Sequence, residues 1–171
     1  MLRRTITHLA AVAVAGALAI GLVPPAQAAP QWRRSETSWQ NPRAARPEVV
    51  DLRYARHDGF DRVVIDVHGR RPGFRTIFPG QLRYDGSGKT VPLQGRFKMY
   101  VVLRPAYAYA SSGDNLYQGP RLVRPGFPSL TGIALIGSFE GDTSFGFTSR
   151  ERPYRIFTLT RPSRVVVDFR H

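Results

Sequence analysis

The chain contains no cysteine among its 171 residues. This absence excludes disulfide bridges, a thiol nucleophile, a thiolate metal site and a lipid-acceptor cysteine behind a leader peptide. Any folded domain must therefore form without covalent staples. A domain of more than about 100 residues can do so, because it buries roughly two-thirds of its unfolded surface.

Long hydrophobic runs are equally scarce, and the longest is Leu9 to Val23. At 15 residues it is shorter than the roughly 20 that a membrane-spanning helix needs. Arg3 and Arg4 precede it, and a small-x-small site ending at Ala28 follows it. This order predicts a secretory signal peptide over residues 1–28, cleaved after Ala28, with an uncleaved N-terminal anchor as the alternative. We expect a secreted or cell-envelope-associated protein with no transmembrane segment after cleavage.

Acidic side chains are few, with 12 Asp and Glu against 25 Lys and Arg. Removing Arg3 and Arg4 with the signal peptide leaves 23 basic residues, so 23 minus 12 gives a net charge of +11. Such a charge favours anionic polymers through steering and counterion release. For an exported protein these are peptidoglycan, anionic wall polymers and lipid headgroups, and no specific nucleic-acid partner is expected.

Residues 29–47 have no hydrophobic periodicity and hold three prolines and four arginines. This composition predicts a flexible basic N-terminal segment. The chain's two tryptophans, Trp32 and Trp39, both lie in it. They are suited to gripping a sugar face or a membrane interface, or alternatively to folding back onto the domain edge.

Helical periodicity is absent from Glu48 onward, where short apolar runs of period two alternate with Gly and Pro. This pattern predicts an all-β domain over residues 48–171, a single-domain β-sandwich or partly closed barrel of about ten short strands. The predicted strands cover residues 49–56, 61–67, 74–78, 82–84, 90–93, 96–103, 132–138, 144–148, 154–160 and 163–169.

Two of these strands carry nearly the same phrase, DRVVIDV from Asp61 and SRVVVDF from Ser163. In each, alternation gives one apolar face and one mixed face with an arginine and an aspartate. The two strands could occupy equivalent positions in two sheets, or be neighbours whose Arg and Asp side chains pair across strands. Seven residues are too few to decide whether the phrase reflects a duplication or a coincidence of strand composition.

Catalytic motifs are lacking as well. No His-x-x-x-His or comparable cluster supports a metal site, and no nucleotide or organic cofactor is implied. Asp66 with Asp168, or Glu140 with Asp142, could supply the two carboxyl groups of a glycan hydrolase. Pairing with arginines and a polar turn explain these residues better, so a noncatalytic protein is expected and a glycan hydrolase is the outside alternative.

The stretch from residue 104 to residue 130 is too long for an ordinary connection in a compact β domain. Its tyrosines and arginines are suited to stacking on sugar rings while pairing with carboxylates or phosphates. The predicted ligand-binding residues are Tyr107, Tyr109, Tyr117, Arg104, Arg121 and Arg124. The alternative is that the tyrosines close one end of the sandwich and the arginines are solvated.

The order of RHDGFDRVVIDV, YDGSG, YQGPRLVRP, GSFEGDTSFGF and PYRIFTLTRPSRVVVDFR resembles the AMIN-like domain of exported actinobacterial proteins. That family is similar to the AMIN domain of N-acetylmuramoyl-L-alanine amidases. The resemblance implies an all-β envelope module that binds peptidoglycan or an anionic wall polymer and is not itself the catalyst. Many members carry a lipid-anchoring cysteine, which this chain lacks. An interaction module for another exported protein is the close alternative, because exposed strand edges offer backbone pairing.

Overall fold

The computed structural model describes residues 30–171, so the predicted signal peptide lies outside the described residues. The described chain forms ten strands and no helix. The strands are β1 (Ser38–Trp39), β2 (Glu48–His57), β3 (Phe60–His68), β4 (Gly73–Ile77), β5 (Phe97–Arg104), β6 (Leu122–Val123), β7 (Leu130–Phe139), β8 (Asp142–Ser149), β9 (Tyr154–Leu159) and β10 (Ser163–Arg170).

The strands form two antiparallel sheets. One sheet has six strands in the order β1-β4-β5-β8-β7-β6, and the other has four in the order β2-β3-β10-β9. Residues of both sheets share one hydrophobic core. The predicted all-β fold is confirmed, and it is the sandwich of the two architectures that the sequence left open. Between Pro30 and the C-terminus there is no helix of a length and hydropathy that could cross a membrane.

The core forms because apolar side chains alternate along each central strand. Val63 and Ile65 of β3 and Val165 and Val167 of β10 are fully buried. On the opposite sheet, Phe145 of β8 closes the core from the other side. Each such burial stabilises the fold by about 1.5–3 kcal/mol. The predicted apolar faces of the two repeated phrases are therefore confirmed as the inner face of the four-stranded sheet.

The two phrases lie on neighbouring antiparallel strands, which is one of the two arrangements that the sequence allowed. The register places Arg62 opposite Asp168, and the Arg62 guanidinium donates two hydrogen bonds of 2.7 and 2.9 Å to the Asp168 carboxylate. Asp66 instead accepts hydrogen bonds of 2.6 and 2.8 Å from Arg53 on β2. Both phrases thus lie in one sheet, with Val63, Ile65, Val165 and Val167 turned inward and the Arg–Asp pairs outward.

Two predicted strands, residues 82–84 and 90–93, are wrong. This segment makes only the isolated bridge between Arg83 and Thr90 and folds over the outer face of the six-stranded sheet. Its apolar residues are buried there rather than added to a sheet edge. They form a second cluster of Leu82, Val91, Leu93, Ala134 and Ile136.

The segment of residues 29–47, which the sequence predicts to be flexible, contacts the domain at several points of its described part. Trp39 of β1 pairs with Phe74 of β4, and their rings lie 6.1 Å apart. Arg33 and Tyr154 exchange backbone hydrogen bonds of 2.7 and 3.0 Å. The Arg155 guanidinium lies 4.6 Å from the Trp32 ring. Both tryptophans fold back onto the domain because the free edges of β4 and β9 offer them backbone and aromatic partners.

Candidate functional site

Tyr117, one of the predicted ligand-binding residues, lies in the core with 1% of its surface exposed. Its ring meets the Phe145 ring edge-on at 5.7 Å, and its hydroxyl donates a 2.9 Å hydrogen bond to the Pro120 carbonyl. Burial raises the pKa of Tyr117 above its ordinary value. The prediction that Tyr117 stacks on a ligand is wrong, because neither face of the ring is accessible.

Tyr107 is half-buried against the loop end of the β7–β8 hairpin. The Arg46 guanidinium stacks on its ring at 4.1 Å, so one ring face is already occupied. Its backbone pairs with the start of β2, since Val49 N–H donates a 2.8 Å hydrogen bond to the Tyr107 carbonyl. A side chain at Gly141 would place its Cβ 3.1 Å from the Tyr107 hydroxyl, which explains the close approach of the hairpin. Tyr107 therefore serves mainly to hold the long loop against the domain.

Tyr109 and Arg121 contact each other, as the Arg121 guanidinium donates a 3.1 Å hydrogen bond to the Tyr109 hydroxyl. Arg104 lies on the same side of the molecule and donates two hydrogen bonds to the carboxylate of Asp142. Arg124 lies apart and donates to the Pro92 carbonyl. Of the predicted residues, the structure brings only Arg104 and Tyr109 into one depression, with Arg121 beside them.

That depression is an open groove of about 760 Å³ across the outer face of the six-stranded sheet, here called the sheet groove. Its floor consists of outward-facing residues of β4, β5, β7 and β8, and the 79–95 segment and Tyr109 form its walls. A neighbouring hollow of about 440 Å³ shares Arg75, Val102 and Arg104 with it. The two together make one continuous surface from β1 to the β7–β8 hairpin.

Aromatic side chains lie at both ends of this surface. Trp39 and Phe74 line the hollow next to β1, while Tyr100 and Tyr109 line the sheet groove. Phe139 at the far rim is 71% exposed. Large aromatic rings that are left in solvent supply flat apolar contact area with little loss of conformational entropy on binding. The Phe139 end of the surface is thus suited to stacking, whereas Trp39 and Phe74 lie on the core side of β1 and β4, with Arg71 over the Trp39 ring.

Charges of both signs lie between these aromatic ends. Arg75 is exposed and makes no ion pair within the described part of the chain, whereas Arg104 is paired with Asp142. Asp85 and Glu140 complete the lining. Burial, aided by the charge of Asp142, raises the pKa of Asp85. With three carboxylates against two arginines, the sheet groove is locally acidic on a strongly basic protein.

Asp85 reaches the groove floor because of Gly137. A Cβ at Gly137 would lie 2.7 Å from the Asp85 side chain. The strand is irregular here, with a register shift between Leu135 and Gly137. The Asp85 backbone N–H also donates to the Ile136 carbonyl at 3.2 Å. Together these contacts fix the 79–95 segment as a wall of the groove.

Sequence reasoning missed most of this surface, notably Arg75, Asp85, Tyr100 and Phe139. Its signal was present in the alternation of β4 and β5, where Arg75 and Ile77 share one outward face, as do Tyr100 and Val102. Finding the groove required the strand order β4-β5-β8-β7, which alternation alone does not give.

The carboxylate pairs considered for hydrolysis are committed to other contacts. Asp168 is fully buried and also accepts a 2.6 Å hydrogen bond from Arg155, while Asp66 is paired with Arg53. Glu140 occupies a tight turn with a φ of 48°, and Asp142 is paired with Arg104. Over residues 30–171 no group of three His, Asp or Glu side chains could hold a metal ion.

The domain is thus a β-sandwich with an open, mixed-charge groove on one outer face. The sequence model of the AMIN-like domain matches residues 47–171, and the chain belongs to that family. No curated protein and no solved structure matches it. AMIN-like domains occur in exported proteins, are generally noncatalytic binding modules, and are in general associated with peptidoglycan.

Proposed function

We propose that this protein is an exported, noncatalytic module of the cell envelope that binds peptidoglycan through the sheet groove. The observation that carries the proposal is the continuity of the surface. The aromatic residues Tyr109 and Phe139 border a strip that holds Arg75, Arg104 and the three carboxylates and continues into the hollow next to β1. Export itself rests on the predicted signal peptide.

The chemistry of peptidoglycan fits this arrangement. Its sugar rings present apolar faces that stack on Tyr109 or Phe139. Its peptides carry carboxylates, which Arg75 can bind in bidentate geometry, and ammonium groups, which the carboxylates of Asp85 and Glu140 can pair with. A polymer that repeats these groups along its length suits an open groove, since many weak contacts add along one chain.

An anionic wall polymer is the second ligand considered for the same protein. Its phosphates or carboxylates would be attracted by the net charge of +11 that follows from 23 basic and 12 acidic residues after Ala28. The sheet groove suits such a polymer less well, because Asp85, Glu140 and Asp142 would repel it. We therefore expect polyanions to bind elsewhere on the basic surface, in a manner that salt weakens.

The test is co-sedimentation of residues 29–171 with purified peptidoglycan sacculi, stripped of wall polymers or intact, at low and high salt. We expect pelleting with stripped sacculi to persist at high salt. Tyr109→Ala and Arg75→Ala should each weaken it about fivefold, the loss of one stacking or bidentate contact. Arg70→Ala, at an exposed position outside the groove, is the matched control for lost charge.

Three other results would count against the proposal. Binding that needs wall polymers and disappears at high salt would assign the polyanion as ligand. Equal binding by Tyr109→Ala, Arg75→Ala and Arg70→Ala would move the site away from the groove. A protein that stays in the supernatant under every condition would end wall binding as its function.

A further inference from the structure

Most sheet edges of this domain are covered by short segments of its own chain. β1 covers β4, and Thr76 N–H donates to the Thr37 carbonyl at 2.8 Å. Arg33 covers the start of β9 through its paired hydrogen bonds with Tyr154. The long loop covers the first half of β2, where Gln118 N–H donates to the Val50 carbonyl at 2.8 Å. Covering of this kind prevents unwanted strand pairing.

The second half of β2 is the exception. Five consecutive residues from Arg53 to His57 are exposed, although they continue a ten-residue strand that is regularly paired with β3. His57 and Phe60 are the paired residues that flank a two-residue turn. From there along β2, the backbone N–H and C=O groups of alternate residues bond to β3, and those of the residues between them point away from β3.

Tyr54 and Arg56 are the residues of this stretch whose backbone groups face away from β3. Leu52, two residues earlier, has the same orientation, since its N–H is bound by the Asp51 carboxylate at 2.7 Å rather than by β3. Within residues 30–171, no backbone or side-chain hydrogen bond reaches the outward N–H or C=O groups of Tyr54 and Arg56. Four backbone groups are therefore available to a new strand.

The surroundings of this edge are basic. Arg56 lies on the strand itself and makes no ion pair within the described residues, whereas Arg53 is paired with Asp66. Arg150 lies close by, because its guanidinium donates a 3.0 Å hydrogen bond to the carbonyl of Phe127, whose ring is 5.9 Å from that of Tyr54. Pairing with a second copy would bring these arginines against each other, and like charges across strands are destabilising.

We propose that the β2 edge from Arg53 to His57 binds an acidic extended segment of another protein by adding it as a fifth strand to the four-stranded sheet. Backbone hydrogen bonds to Tyr54 and Arg56 supply the pairing, and glutamate or aspartate side chains of the segment pair with Arg56 and Arg150. Tyr54 and Phe127 form the apolar contact for an alternate side chain. This function is separate from the sheet groove, which lies on the other sheet.

The probe is a capped eight-residue peptide of alternating Glu and Val, titrated into residues 29–171 while amide resonances and hydrogen exchange are followed by NMR. We expect binding to shift and protect the amides of Tyr54 and Arg56. An equally charged peptide of alternating Glu and Gly separates strand pairing from charge, because Gly weakens strand formation. It should bind at least about fivefold more weakly.

Variants of Arg56 test the backbone and the charge separately. Arg56→Pro removes an outward N–H without touching the ladder to β3, and it should weaken binding about tenfold, whereas Arg56→Ala should weaken it only about threefold. Arg56→Glu should repel the Glu–Val peptide and gain binding to a Lys–Val peptide. This charge swap tests the edge even where the proline variant fails to fold.

The proposal is overturned if Arg56→Pro and Arg56→Ala bind equally, or if the Glu–Val and Glu–Gly peptides do. It is also overturned if the protein dimerises in solution and Arg56→Pro makes it monomeric, since the occupant is then a second copy. Tyr109→Ala, which alters the sheet groove, should leave peptide binding unchanged.

Discussion

Arg62 on β3 stands directly opposite Asp168 on β10, and the fully buried Asp168 carboxylate accepts hydrogen bonds from Arg62 on one side and Arg155 of β9 on the other. One carboxylate thereby joins three adjacent strands. The bond to Asp168 raises the pKa of Arg62. The aromatic rings of Phe60 and Trp32 cover the cluster.

Asp168→Ala should be strongly destabilising. It leaves two poorly solvated guanidinium groups facing one another without their anion, a change that costs about 3–5 kcal/mol. Urea denaturation followed by circular dichroism measures the loss in free energy of unfolding.

The matched control for Asp168→Ala is Asp66→Ala on the same outer face. Arg53, the partner of Asp66, is 58% exposed, so this ion pair should contribute less than about 1 kcal/mol. Similar losses for both variants would contradict the role assigned to the buried cluster.

Asp61 links the two sheets at one end of the sandwich, and we expect this link to stabilise the folded domain. Its buried Oδ2 accepts hydrogen bonds of 2.7 and 2.8 Å from the backbone N–H groups of Ser129 and Leu130, at the start of β7. Asp61→Ala leaves both donors unsatisfied, at about 1–3 kcal/mol each. Asp61→Asn keeps an acceptor oxygen and should retain most of the stability. The denaturation midpoints of the two variants measure this difference. Equal losses of stability in Asp61→Ala and Asp61→Asn would contradict the role of the Asp61 acceptor oxygen.

Stability should fall at alkaline pH because of two tyrosines. Burial raises the pKa of both Tyr117 and Tyr154 above the ordinary value. The folded state thus favours the neutral phenols. Their contribution to the free energy of unfolding is complete below about pH 10, the pKa of tyrosine in the unfolded state, and declines as the pH rises further. Tyrosinate absorbance should show two of the seven tyrosines ionising late or together with unfolding. Titration of all seven near pH 10 in the folded protein would refute this.

Removal of residues 30–46 should weaken the domain even though the family match begins at residue 47. The truncation uncovers the edges of β4 and β9 and removes the hydrogen bond from Tyr154 Oη to the Ser35 carbonyl, 2.9 Å long. We expect a lower denaturation midpoint and association in light scattering, since free edges promote strand pairing. A monomer of unchanged stability would show that the segment is dispensable.

Much of the fold was predictable because strand alternation is written into the sequence. The inner and outer faces of β3 and β10 follow from seven-residue patterns, whereas the Arg–Asp pairing between them was one of two arrangements that the patterns allowed. The two-residue strands β1 and β6 were not predictable, since they are too short to show a period. Residues 82–84 and 90–93 have strand-like composition, but their apolar side chains pack on a sheet face instead of pairing.

The candidate site was predicted only in part. Arg104 and Tyr109, which were predicted as ligand-binding residues because they lie in a loop of unusual length and composition, line the sheet groove. Arg75 and Asp85 come from elements that only the strand order brings together. Tyr117 could not be distinguished from Tyr109 in the sequence, because an amphipathic ring can face inward or outward with equal ease.

The position of β10 has a consequence for the timing of folding. This strand is the last in the chain, yet it lies between β3 and β9 in the middle of its sheet. During synthesis from the N-terminal end, that sheet lacks one of its two central strands until β10 has been made. Contacts between strands so far apart in sequence form slowly. The four-stranded sheet is therefore completed only when β10 inserts between β3 and β9.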